Sequence, residues 1–165
     1  MIYFTKENIT FVLAVIGSIG TISGWLYTYL TTRKNIVIRT IAYNAVQNQA
    51  LFYLSFENKS RLSISITSLS LKINGVYYPS RIIPQRVKSS QYKRGNEILN
   101  AHDDFSITFP IVLSPLGATS GYVLFVFPPG VSIPDTKDLM LQISSNRGGA
   151  IETILSLSQL PDTLL

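Results

Sequence analysis

The sequence predicts an all-β protein, an antiparallel immunoglobulin-like β-sandwich preceded by a single N-terminal transmembrane helix. Three observations predict it: a long uncharged run near the start, alternating apolar residues after residue 35, and turn signals between short runs. A chain of 165 residues holds one domain and a short additional element. We divide it into an N-terminal tail (1–8), a transmembrane helix (9–30), a basic juxtamembrane linker (31–35) and a β-sandwich domain (36–165).

Composition excludes several classes of protein. Apolar types make up 46% of the chain and charged types 14%, so it is not a disordered polyelectrolyte. The absence of cysteine excludes disulfides, thiolate metal sites and cysteine nucleophiles. His102 is the single histidine, which excludes a site built from two imidazoles. We expect no cofactor and no metal.

The predicted span is the uncharged segment Ile9–Leu30. Its 22 residues cover a hydrocarbon core of roughly 30 Å at about 1.5 Å per residue. Trp25, Tyr27 and Tyr29 suit one membrane interface, and Thr5 is a suitable N-cap. The alternative is a cleaved secretory signal, which normally has a basic leader. Here the opposite charges of Lys6 and Glu7 cancel, so the leader has no net basic charge from its side chains.

Charge around the span predicts its orientation. The side chains before it sum to zero, whereas Arg33, Lys34 and Arg39 follow it closely. Because basic flanks prefer the cytoplasm, we expect a single-pass protein of the cell membrane with a cytoplasmic C-terminal domain. An uncleaved anchor with the domain outside is the alternative.

Small residues recur at helical spacing within the span. They form a candidate helix-packing face of Ala14, Gly17, Gly20, Thr21, Gly24 and Thr28. Close backbone approach along such a stripe favours packing in lipid, so we expect self-association or a protein partner in the membrane. The alternative is that small residues are simply common in membrane helices.

The first strands are predicted at Ile36–Tyr43 and Leu51–Glu57. In the segment LSISITSLSLKIN, the apolar residues switch parity, which predicts a bulge near Thr67 and Ser68. Asn74-Gly75 then predicts a type I′ hairpin turn.

The later strands follow the same pattern. Alternation over 105–113, interrupted by proline, indicates an edge strand or two short strands around a break. The run YVLFVF over 122–127 is apolar on both faces, which predicts a central strand. Strands over 139–143 and 151–157 bring the expected total to about eight or nine.

Three features together resemble a group of small bacterial and phage proteins that combine one membrane helix with a β-sandwich. They are the runs ENKSRLSISITSLSLKINGVYYPS and FPIVLSPLGATSGYVLFVF, and a span that ends in TRKN. The resemblance covers most of the chain. It implies an architecture and transfers no catalytic residue.

Basic residues are concentrated in the first part of the domain. Residues 33–94 hold eleven basic side chains and one acid, whereas 97–165 hold two basic and seven acidic ones. The densest stretch, expected to be a loop, contains Arg81, Arg86, Lys88, Lys93 and Arg94. We interpret it as a candidate contact with anionic lipid or a protein partner. Nucleic acid is disfavoured because no known binding module matches. The alternative is a solvated face paired with the acidic half.

His102-Asp103-Asp104 is the one cluster of acid–base types. Neighbours in an extended chain face opposite sides, and no nucleophile motif accompanies them, so a polar loop is the expected role. We therefore expect a membrane-anchored, non-catalytic binding or scaffolding module acting at the membrane surface. The alternatives are an envelope immunity or phage-exclusion factor, and a hydrolase or carbohydrate-binding sandwich.

Overall fold

The computed structural model describes residues 5–94, 97–134 and 138–157; for 93, 94, 97 and 99 it describes the backbone. The chain divides into two units, Met1–Arg33 and Lys34–Leu165. The first contains helix α1, Lys6–Thr32. The second contains ten strands: β1 (Ile36–Val46), β2 (Gln49–Asn58), β3 (Ile64–Ile73), β4 (Val76–Pro79), β5 (Arg86–Arg94), β6 (Glu97–Phe105), β7 (Ile111–Leu113), β8 (Ala118–Val126), β9 (Asp138–Ser145) and β10 (Ile151–Ser156).

Helix α1 has the length and composition of a membrane span. Thr5 caps it, as predicted, because its hydroxyl accepts a hydrogen bond from the Asn8 N–H at 3.4 Å. None of its described residues is buried, and Phe11 and Trp25 expose 70% and 80% of their surface. A signal sequence near the amino terminus would share these properties.

The remaining unit is built from antiparallel sheets, as the sequence predicts. One sheet has the order β1-β2-β8, and another has the order β10-β9-β3-β4 with β7 also paired to β3. Strands β5 and β6 form a separate two-stranded sheet. The described strands number ten, which exceeds the expected eight or nine because β5 and β6 were not anticipated.

Apolar side chains of the two larger sheets share one hydrophobic core. Phe52, Leu54 and Phe56 of β2 are fully buried in it. Both apolar parities of β3 are also buried, because the pairing of β3 with β9 shifts register between Ile66 and Ser68. The predicted bulge is confirmed, and it is what lets a single strand bury both sets.

The predicted hairpin turn at Asn74-Gly75 is confirmed. Both residues have positive φ angles, 50° and 83°, as a type I′ turn requires, and they join β3 to β4.

Strand β8 does not lie at the centre of its sheet, contrary to the prediction. Its ladder partner is β2, and β8 ends the order β1-β2-β8. Its other edge receives hydrogen bonds from loops: the Arg81 N–H donates to the Leu124 carbonyl at 2.8 Å and the Ile107 N–H to the Tyr122 carbonyl at 2.7 Å. Loop segments thus cover this edge. Consecutive Val123, Leu124 and Phe125 are buried, so both faces of β8 are covered, which accounts for its apolar residues on both faces.

Candidate interaction surface

The β5–β6 hairpin carries four of the five basic residues predicted as a contact. Arg86, Lys88, Lys93 and Arg94 lie on β5, while Arg81 precedes it in a loop. The expectation of a loop was therefore wrong for residues 86–94. Apolar alternation failed to reveal the strand because, in the described part of the chain, β5 pairs only with β6 and contributes no residue to the core.

Hydrogen bonds hold the root of the hairpin together. The Ser106 N–H donates to the Gln85 carbonyl at 2.8 Å, and the Gln85 N–H donates to the Ser106 hydroxyl at 2.9 Å. Ser106 is buried and forms a bridge to Tyr122 of β8. The hairpin is thus anchored to the domain at its root.

The hairpin register brings the basic and acidic blocks of the sequence together. Lys88 lies opposite Asp104, and Arg94 lies opposite Glu97. The Arg86 guanidinium contacts the Asp103 carboxylate at 3.4 Å. The side chains of Lys93 and Arg94 lie outside the described part. This arrangement neutralises much of the charge that the sequence concentrates in β5.

The hairpin carboxylates have distinct surroundings. A hydrogen bond from Ser89, with a further contribution from Arg86, holds the pKa of Asp103 below its ordinary value. Asp104 contacts the His102 ring at 3.1 Å. Burial raises the pKa of the Tyr122 phenol, and the charge of Asp104 raises it further, so this phenol stays neutral.

His102, Asp103 and Asp104 lie in β6 and not in a loop, so that expectation was wrong. As expected for an extended chain, Asp103 faces the opposite side from its two neighbours, being paired with Ser89. Among the described residues, no group of three histidine, aspartate or glutamate side chains is placed to hold a metal ion.

Exposed apolar side chains also occur along the hairpin and at its root. They are Ile82, Ile83, Tyr92, Ile98 and Phe105, each exposing 52% to 76% of its surface. The sequence did not predict them as a set. Large apolar residues in a stretch without alternation are the sequence feature that could have indicated exposed apolar side chains here.

The small residues of α1 leave a flat helix surface. A Cβ atom added at Gly17, Gly20 or Gly24 would meet nothing within 4 Å. The Thr21 and Thr28 hydroxyls donate to the Gly17 and Gly24 carbonyls, both at 2.9 Å. Ala14 lies on the same face by helical spacing. These hydroxyls are satisfied within the helix, so the face needs no polar partner.

Comparisons with known proteins identify no family. No protein-family model matches the sequence, and no curated protein does so. Among solved structures, the chain is similar to one described as "Structure of Iho670 Flagellar-like Filament", with a TM-score of 0.31 and 11% sequence identity, over 93% of this chain and 98% of that chain.

Proposed function

We propose that this protein is a single-pass protein of the cell membrane whose β domain is a non-catalytic binding or scaffolding module. Helix α1 is the anchor, the domain is an immunoglobulin-like sandwich on the cytoplasmic side, and the β5–β6 hairpin contacts a protein partner. The small-residue face of α1 packs against a second membrane helix.

The anchor carries this proposal. Helix α1 places 22 uncharged residues in a row, and its large apolar side chains are exposed. Leaving that much apolar surface in water costs roughly 25 cal/mol for each Å². A lipid environment removes that cost, and Arg33 and Lys34 suit the headgroup region beyond the uncharged run.

The hairpin supports the binding role. It combines exposed Tyr92, Ile98 and Phe105 with ion pairs such as Arg86–Asp103. Aromatic and aliphatic anchors surrounded by polar groups are typical of protein interfaces. The paired charges favour a protein surface of mixed charge over a uniformly anionic one.

Fractionation of the full-length protein tests the anchor. We expect it to remain with membranes after an alkaline wash and to be released by detergent, with an intact amino terminus. Replacing Ile19 by Lys at mid-span should reduce insertion, since a central lysine costs about 3 kcal/mol, whereas Thr5→Lys at the helix end should not. Recovery in the aqueous fraction, or a mature form lacking the helix, contradicts the proposal.

Cysteine labelling tests the orientation, because the chain has no cysteine of its own. Gln47 and Ser132 are exposed outside the strands, so Gln47→Cys and Ser132→Cys give accessible thiols. A membrane-impermeant reagent should label neither in intact cells and both after lysis. Labelling in intact cells reverses the orientation.

Photocrosslinking tests the partner contact. A photoreactive residue at Tyr92 should crosslink to one protein in membranes, and the same group at Gln47 should not. Neutralising Arg86, Lys88, Lys93 and Arg94 to Gln should abolish the Tyr92 product by disrupting the hairpin ion pairs. Equal crosslinking from Tyr92 and Gln47 contradicts a specific contact at the hairpin.

A further inference from the structure

Four separated segments meet at the end of the β domain where the chain enters it. The Lys34 ammonium donates a hydrogen bond to the Gly149 carbonyl at 2.8 Å, in the turn between β9 and β10. The Lys59 N–H donates to the Asn35 carbonyl at 2.9 Å. Residues 34–35 therefore lie between the β9–β10 turn and the end of β2.

The loop before β8 completes this end of the domain. The Asn58 N–H donates to the Gly117 carbonyl at 2.8 Å, and the Leu116 N–H donates to the Ser60 carbonyl at 3.1 Å. We call the resulting surface the basic end, formed by 34–35, 58–62, 114–117 and 146–149.

The basic end has the composition of a surface that binds anionic lipid. It gathers Lys34, Lys59, Arg61 and Arg147, and the Glu57 carboxylate contacts Lys59 at 3.2 Å. Leu62 and Leu116 expose 43% and 68% of their surface beside them. Basic and exposed apolar side chains together are what a membrane interface attracts.

The electrostatics at Lys34 agree with this composition. Partial burial lowers the pKa of its ammonium, and the neighbouring Arg147 guanidinium lowers it further. Two cations are thus held close together, and an anion beside them would relieve their repulsion.

The chain itself limits how far the basic end can be from the anchor. Helix α1 ends at Thr32 and Lys34 follows two residues later, a reach of at most about 7 Å between their Cα atoms. A helix that spans a bilayer ends near the headgroups. In the proposed anchor, Lys34 is therefore within reach of the headgroups.

The hairpin is less suited to lipid. Arg81 hydrogen-bonds to Leu124, seven residues along β8 from Gly117 of the basic end, a separation of about 23 Å in an extended strand. Arg86 also contacts the Asp103 carboxylate, and Lys88 lies opposite Asp104 in the hairpin register.

We propose that the basic end binds the anionic phospholipid headgroups of the membrane that holds α1. This inference rests on the proposed membrane anchoring and assigns the lipid contact to Lys34, Lys59, Arg61 and Arg147, with Leu62 and Leu116 inserted at the interface. It leaves the hairpin available for a protein partner.

The test uses the full-length chain in nanodiscs of phosphatidylcholine, with and without phosphatidylglycerol. A nitroxide on Ser63→Cys, an exposed residue beside the basic end, reports lipid contact, and the same label on Gln47→Cys is the control. We expect lipid contact at Ser63 only with phosphatidylglycerol, and we expect salt to weaken it. In the triple variant Lys59→Gln, Arg61→Gln, Arg147→Gln, the ratio of domains in contact with lipid to domains out of contact should fall about five-fold for each charge removed.

The matched control is Arg81→Gln, Arg86→Gln, Lys88→Gln in the hairpin and its root, which should retain the Ser63 contact. Loss of the contact in this control, or its persistence in the basic-end variant, overturns the inference. A label on Ile19→Cys separates the two proposals. If Ile19 is in lipid while Ser63 stays in water, only the headgroup inference fails; if Ile19 is in water, the anchor fails as well. Circular dichroism and thermal unfolding of each variant verify that the domain is folded.

Discussion

The side-chain carbonyl oxygen of Asn58 accepts two hydrogen bonds from Ser60, from its N–H at 3.0 Å and from its hydroxyl at 2.8 Å. Both residues are buried. The Asn58 amide nitrogen in turn donates to the carbonyls of Leu62 and Ser114, at 2.9 Å and 2.8 Å. One side chain thus joins the end of β2 to the loops before β3 and β8.

Asn58→Ala should lower the free energy of unfolding by about 2 to 4 kcal/mol, because it leaves buried donors and acceptors unsatisfied. Asn58→Asp should be at least as damaging at neutral pH, since a carboxylate would face two carbonyl oxygens. Asn44→Ala, at an exposed position of β1, is the control and should change the free energy by less than about 0.5 kcal/mol. Chemical denaturation of the detergent-solubilised chain measures both. Equal stability of the Ala variants refutes this role for Asn58.

Gly121 of β8 lies directly against Ile107. A Cβ atom at Gly121 would approach the Ile107 Cδ1 at 2.9 Å and its Cβ at 3.2 Å. Gly121→Ala should therefore destabilise the domain by about 1 to 3 kcal/mol. Adding Ile107→Val removes the Cδ1 atom and should restore part of that loss, which a double-mutant cycle detects.

Gly149→Ala is the matched control for Gly121, because nothing lies within 4 Å of its added Cβ. It should leave the melting temperature nearly unchanged. Additive effects of Gly121→Ala and Ile107→Val would show that the two positions do not compete for space.

Asp103 predicts a pH dependence of the hairpin. Its pKa in the folded protein lies below the usual value of about 3.9, so its stabilising effect is present above that pH and is lost as the pH falls through the lowered pKa. Ser89→Ala and Arg86→Gln should each raise this pKa, because a hydrogen bond from Ser89 and the hydrogen bond and charge of Arg86 all lower it. Carboxyl NMR titration of the parent and the two variants measures the three pKa values. An unchanged pKa in Ser89→Ala would contradict this assignment.

The hairpin should be dispensable for folding. The described core contains no residue from 86–105, and Gln85 and Ser106 are already hydrogen-bonded across its root. Replacing 86–105 by a Gly-Gly turn should leave the unfolding midpoint within a few degrees of the parent. Phe52→Ala, in the core, should instead cost about 3 to 5 kcal/mol. A large loss on deleting the hairpin would show that it supports the domain.

The sequence correctly predicted the elements that pack one face on the core and the turn that requires a special backbone conformation. The alternation of Phe52, Leu54 and Phe56, the parity switch in β3 and the Asn74-Gly75 turn each appear in the structure as predicted. It failed at β5 and β6 because neither strand has a buried face to impose alternation. It also placed β8 at the sheet centre, because a strand with both faces buried has the same apolar pattern at the edge of a sheet as at its centre.

The candidate sites divide in the same way. The basic residues of β5 are evident in the sequence, but their placement opposite Asp103 and Asp104 depends on the hairpin register. The basic end was not predictable, because Lys34, Lys59, Arg61 and Arg147 come from distant segments. Long-range hydrogen bonds, such as those from Lys34 to Gly149 and from Lys59 to Asn35, bring them together.

The amino-acid sequence alone determined the apolar helix, the antiparallel β class and most of the buried residues, because local periodicity records which side of an element avoids water. Only the tertiary structure decided which strands are neighbours, which charges cancel and which cations gather at one end of the β domain. Those properties depend on contacts between residues far apart in the chain, and no local pattern encodes them.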